Sequence, residues 1–224
     1  MLPYAKPSVR PTMPYFSSSP TKKRPGWSST LLDDACTSRS HRSKPAKQKI
    51  NHAMTLARDI LGLPDSYRIG VVPGSDTGAV EMAMWSMLGA RGAEILAWES
   101  FGKDWLNDAV NQLKIDSVTH VAPYGQLPNL GAIDFNNDIV FTWNGTASGV
   151  KVPDGGWIPD DRAGLTIADA TSACFAMELP WDKLDAVTFS FQKSLGGEGG
   201  NGVLILSPRA VERLETYVPN WPIP

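Results

Sequence analysis

Short apolar runs alternate with stretches of helical period along most of this chain. The first long periodic segment predicts a helix over Pro45–Leu61, stopped by Gly62 with Pro64 just beyond. Strands are then predicted at Ile69–Val72, Glu94–Trp98, Ser117–Ala122, Ile139–Trp143, Leu165–Ala168, Ala186–Phe191 and Val203–Leu206. Helices are predicted between them at Thr77–Leu88 and Trp105–Leu113, and a last one at Arg209–Tyr217 opens on Ser207-Pro208 as cap and first residue. Strands that are apolar on both faces and separated by helices imply an α/β fold, with a mostly parallel sheet and helices on both faces. The Thr77–Leu88 helix is apolar nearly all round, so it should lie buried in the middle of the domain. Residues 1–30, rich in Pro and Ser and without periodicity, read as an extended arm, and residues 31–224 as one large domain.

Ligands of such sheets sit outside the carboxyl ends of the strands. Polar stretches fall at such ends in Gly74–Gly78, in Asn144-Gly145-Thr146, in Asp169–Ser172 and in Gln192-Lys193. All could face one crevice.

Composition changes the picture in one place. The formal net charge is -2, yet residues 1–50 carry ten Lys or Arg against Asp33 and Asp34. Such an amino-terminal segment is a solvated basic arm, a nucleic-acid arm or a surface facing an anionic ligand. Pro3, Pro7, Pro11 and Pro14 exclude the amphipathic helix of a transit peptide. No apolar run approaches the roughly 18 residues of a membrane span. Cys36 and Cys174 make no disulfide framework, which favours a cytoplasmic chain. His41, His52 and His120 show no metal-ligand spacing, so no metal is expected.

Lys193 ends an apolar strand and is followed by a cluster of glycines. A single lysine is ordinarily a surface charge, but one desolvated at such a place can lose its proton and form a Schiff base with an aldehyde. The glycines would let backbone and a flat cofactor approach without Cβ clashes. Asp169 ends another strand, where it is either a helix cap or the carboxylate that keeps a pyridine nitrogen protonated. The turn at Gly74–Gly78 offers free amides at a helix start, which suits a phosphate, although it is neither a Walker loop nor GxGxxG. Asp76 is an odd side chain against a phosphate; it should point away or cap the helix.

Lysine, upstream aspartate and earlier phosphate turn form an ordered set. Together with Phe16-Ser17-Ser18, Ser40-His41-Arg42-Ser43-Lys44, Gly74–Thr77, Asn144–Thr146, Ala168–Ser172 and Phe191-Gln192-Lys193, it resembles the phosphoserine aminotransferases, class V members of the fold-type I pyridoxal phosphate (PLP) enzymes. The resemblance spans essentially the whole chain. It implies that Lys193 binds PLP covalently and that Asp169 pairs with the pyridinium. Thr146 would meet the ring hydroxyl; Gln192 and the Ser75-Asp76-Thr77 turn would meet the cofactor phosphate. Trp105, with Phe101 as substitute, would stack on the ring, and His41 and Arg42 would hold the substrate's phosphate. Implied partners are phosphoserine, 3-phosphohydroxypyruvate, glutamate, 2-oxoglutarate and a second copy in a homodimer, with neither nucleic acid nor membrane. Competing readings are a serine–glyoxylate type of class V enzyme and a non-catalytic fragment of the fold.

Two departures stand out. Ser19-Pro20 replaces the Gly-Pro usual in the family, and the chain stops at Asn220–Pro224 where related enzymes continue. The sequence therefore reads as an amino-terminal fragment, with the small domain and the arginine for the α-carboxylate absent.

Overall fold

The structure is a computed structural model, and it describes residue 9, residues 23–36 and residues 40–223. Most of the predicted arm, including Phe16-Ser17-Ser18, lies outside the described residues. Seven strands form one sheet: β1 (Arg68–Pro73), β2 (Ala93–Ala97), β3 (Ser117–Val121), β4 (Asp138–Thr142), β5 (Thr166–Asp169), β6 (Ala186–Ser190) and β7 (Asn201–Leu206). Their order is β1-β7-β6-β5-β4-β2-β3. The pairs from β6 through to β3 are parallel, and β7 runs antiparallel to both its neighbours. Residues 191–200 join β6 to β7 without a helix. A parallel return needs a crossover of a dozen or more residues, so this short link forces the antiparallel turn.

The helices are α1 (Lys44–Leu61), α2 (Ser75–Met87), α3 (Ser100–Asn107) and α4 (Pro208–Thr216). Gly62 ends α1 in the left-handed conformation, as glycine at that position should. Ser207 caps α4 by accepting from the Ala210 amide. Helix α3 departs from the prediction. It begins at Ser100, capped by the Glu99 side chain, and widens into a π-helical turn over Asp108–Gln112. Glu is not among the usual capping residues, so the earlier start left no ordinary signal.

Two apolar layers sandwich the sheet. On one face, Val80, Ala83, Met84 and Met87 of α2 pack with Trp105 of α3, Ala210 of α4, and Ile95, Val140 and Ile167 from the strands. On the other, Leu96, Phe141, Ala168, Val187 and Phe189 meet Met54 of α1, Trp143, Val152 and Ile158 from the link between β4 and β5, and Leu184 just before β6. Successive residues such as Val140 and Phe141 enter opposite layers, the period-2 signature of a sheet buried on both faces. Every residue of β2, β4 and β6 is buried, while both edge strands, β1 and β3, carry exposed positions.

Beneath the sheet, Asp185 anchors the frame. It is buried and accepts from Arg162, Arg209, Ser207 and the Thr166 amide. This ties the start of β5, the approach to β6 and the cap of α4 together at the end of the sheet opposite the polar strand termini.

Candidate functional site

The strand ends at β1, β4, β5 and β6 open onto one cleft. Ser75, Asp76, Thr77, Asn144, Thr146, Asp169, Gln192 and Lys193 all line it. The crevice anticipated at the polar strand ends is therefore real, and eight of the ten predicted site residues, Trp105 included, reach it.

The β1–α2 turn is held by backbone. Gly74 sits at φ 84, and Ser75 follows at φ 63, in a left-handed region that costs a non-glycine residue roughly 1–3 kcal/mol. The Ser75 amide donates to the Gly200 carbonyl at 3.3 Å, so the turn leans on the glycine loop after Lys193. A Cβ on Gly202 would lie 2.2 Å from the Ser75 carbonyl oxygen, and one on Gly78 would lie 2.5 Å from that of Pro73. Only glycine permits both approaches. The result is an α2 amino terminus with exposed Thr77 and half-buried Ser75 on the cleft, suited to an anion by amide geometry and helix dipole.

Asp76 corrects the sequence reading. It does not cap α2, since the cap at Gly74 has no side-chain bond. It is 5% exposed and turns under the cleft toward β5 and β6. Thr171 Oγ1 lies 2.5 Å from Asp76 Oδ2 and 2.5 Å from Asp169 Oδ1. Thr188 Oγ1 donates to Asp76 Oδ2 at 3.2 Å. Burial, and then the neighbouring Asp169, push the Asp76 carboxyl well above the usual carboxylate range.

Asp169 ends β5 and is surrounded by donors. Its Oδ1 also accepts from the Thr171 amide at 3.0 Å, and its Oδ2 accepts from Trp105 Nε1 at 3.2 Å. Trp105 is 2% exposed, whereas Phe101, one turn earlier on α3, is 38% exposed and also lines the cleft. Lys193 is half-buried, and its carbonyl accepts from the Gly196 amide at 3.0 Å, closing the turn after it. The Gln192 carboxamide packs against Gly199, where a Cβ would lie 2.7 Å from Oε1. Thr146 is exposed on the loop after β4, and Asn144 beside it donates to Ser172 at 3.2 Å.

His41 and Arg42 do not line this cleft. They sit exposed in the turn before α1. Conversely, Lys23 of the basic segment does more than face solvent: its Nζ donates to the Gly196 carbonyl at 2.5 Å. Sequence reasoning also missed Glu99, which is fully buried on the cleft wall. Its Oε1 accepts from the Gly102 amide at 2.6 Å, and its Oε2 has no partner among the described residues. Thr188, whose hydroxyl reaches Asp76 from the middle of β6, carried no sequence signal either.

No family model matches the chain. It is 60% identical to the phosphoserine aminotransferase of Methanosarcina mazei over 98% of its own length and 60% of that relative's. Nearly all of the chain is thus similar to part of a phosphoserine aminotransferase. A solved phosphoserine aminotransferase from Cytophaga hutchinsonii superposes with a TM-score of 0.75 at 26% identity, over 83% of this chain and 52% of that one. A PLP-bound phosphoserine aminotransferase from Trichomonas vaginalis shares the fold with a TM-score of 0.69 at 18% identity, covering 93% of this chain and 61% of that one. The chain spans about 60% of the length of the curated relative it matches. Among its described residues, no helix is long and apolar enough to cross a membrane, and no group of three or more His, Cys, Asp or Glu could hold a metal.

Proposed function

We propose that the cleft binds PLP and serves the reversible transfer of an amino group between phosphoserine with 2-oxoglutarate and 3-phosphohydroxypyruvate with glutamate. The reading includes a cytoplasmic homodimer working in serine biosynthesis. The observation that carries it is the meeting of a lysine, an aspartate and a helix amino terminus at the ends of β6, β5 and β1 in one cleft, in a chain so similar to an enzyme of that name.

The residues present suit the cofactor. Donors at the start of α2, with the Ser75 and Thr77 hydroxyls, match a phosphate. Asp169, fed by Trp105 and Thr171, is suited to hold a protonated pyridine nitrogen. Gln192 lines the same cleft, where its Nε2 would donate to the phosphate. When bound, PLP supplies an aldehyde that captures amines and a ring that withdraws electrons. Lys193 would hold it covalently and then remove and return the proton at the substrate's Cα.

Phe101 is the aromatic with a face to offer the ring. Trp105, sunk in the core with its N–H committed to Asp169, is better placed to orient that carboxylate. Thr146 would bond the ring hydroxyl. The roles given to His41 and Arg42 at the substrate phosphate require these exposed residues to serve a cleft completed in the assembled enzyme. Turnover is accordingly proposed to need the remaining length found in the relatives; assays of this chain and of one of their length separate the two cases. For the cofactor itself, borohydride reduction of PLP-treated protein and peptide mapping should place a pyridoxyl group within residues 187–202. Label on Lys22, Lys44 or Lys151 instead would refute the assignment.

A further inference from the structure

The two carboxyls beneath the cleft pose a counting problem. The Thr171 hydroxyl sits 2.5 Å from an oxygen of each, and a hydroxyl has one proton to donate. It can donate to one carboxylate, and must then accept from the other. One of the two acids therefore carries a proton.

The surroundings say which. Asp169 receives the Thr171 amide and the Trp105 indole N–H on separate oxygens, donors that favour a charged carboxylate. Besides Thr171, the donor to Asp76 found among the described residues is the Thr188 hydroxyl; the Asp169 carboxyl stands close by, and Asp76 Oδ1 is buried with no partner among the described residues. A bare carboxylate oxygen there would be costly; the carbonyl of a neutral acid is much less so. Burial and the Asp169 charge both push Asp76 in the same direction. Other titratable groups nearby are the Cys174 thiol, itself raised by burial and by the two aspartates, and Glu99 and Lys193 across the cleft.

We propose that Asp76 is a positioning residue that keeps a proton as a neutral acid and donates it to Thr171, which donates in turn to Asp169, so that the pair's single negative charge rests on Asp169. The shared proton stands on the geometry alone; its use, holding a carboxylate toward a pyridine nitrogen, rests on the PLP reading above. Helical period explains the arrangement. Asp76 lies on the same α2 stripe as Val80, Ala83 and Met87, which faces the sheet.

Infrared spectroscopy of the cofactor-free protein, with carbonyl-¹³C aspartate for assignment, tests this. At neutral pH the wild type should show an isotope-sensitive carboxylic-acid band that is lost in Asp76→Asn and retained in Asp169→Asn. Absence of the band in the wild type, or its loss in Asp169→Asn with retention in Asp76→Asn, overturns the proposal. The wild-type measurement decides the first point even if a variant fails to fold. A second arm follows the pH titration of PLP absorbance in Thr171→Val and Thr171→Ser. The proposal expects Val to shift that titration and Ser, which restores the hydroxyl, to return it. A band present with no PLP binding overturns the role and leaves the shared proton standing, whereas PLP binding without the band overturns the shared proton and leaves the cofactor reading intact.

Discussion

Replacing Gly202 by Ala tests the link between fold and cleft. The new Cβ would lie 2.2 Å from the Ser75 carbonyl oxygen and 2.8 Å from the Ala79 Cβ, where ordinary contact begins near 3.4 Å. Backbone must therefore move by about 1 Å, because no flexible side chain stands in the way. Overpacking of this kind costs about 1–3 kcal/mol of stability. The displaced part is the first turn of α2, the proposed phosphate anchor. Charge interaction at a helix terminus contributes about 0.3–2 kcal/mol, so PLP should bind on the order of 2- to 30-fold more weakly. Gly200→Ala is the matched control: two residues away, a Cβ there meets nothing within 4 Å. Urea denaturation of the cofactor-free proteins and absorbance titration with PLP would measure both effects. If Gly202→Ala behaved like Gly200→Ala in both assays, the close approach of β7 to the turn would not constrain the site.

Asp185→Ala should destabilise the fold by about 3–5 kcal/mol in denaturant titrations, because it strands the buried Arg162 guanidinium; a loss under about 1 kcal/mol would contradict the anchoring role. Arg42→Ala, in an enzyme of the relatives' length, should weaken phosphoserine by roughly tenfold to a hundredfold and serine little; equal losses would make Arg42 structural. Asp76 has a raised folded pKa, so the folded state holds its proton longer than the unfolded state does. Wild-type stability should therefore fall relative to Asp76→Asn as pH rises above about 4, by at most about 1.4 kcal/mol per pH unit, and the difference should become constant below it. A gap independent of pH would mean that Asp76 does not titrate in this way.

Much of the frame was legible because burial writes a simple pattern. All seven predicted strands exist, and fully buried runs such as Ile139–Phe141 could take no other form in an alternating α/β chain. The antiparallel β7 was also legible, had the ten residues between Phe191 and Gly200 been weighed against what a parallel crossover needs. Asp76 was legible as an odd side chain against a phosphate, but where it would turn instead was readable only from its place on the apolar stripe of α2, which faces the sheet. Thr188 and Glu99 were of another kind. A hydroxyl inside an apolar strand satisfies β-propensity by itself, and its partner 112 residues away exists only once the sheet is built.

The reversal of β7 is what makes the site. Were β7 to follow β6 in parallel, the chain after Lys193 would leave the cleft through a crossover to the far end of the sheet. Because it turns back at once, Gly200 and Gly202 lie beside Ser75, through the amide bond to Gly200 and the contact that Gly202 alone permits. β1 then pairs with β7, Pro73 opposite Asn201, and so the turn that begins at Gly74 is set next to the lysine loop. Lys193 and the α2 amino terminus, more than a hundred residues apart, become neighbours through one strand with few side chains near its start. Packing thus accounts for several of the glycines after Lys193: Gly202 lets the start of β7 lie against the β1–α2 turn, while Gly197 and Gly199 lie against Phe191 and Gln192 within the loop itself.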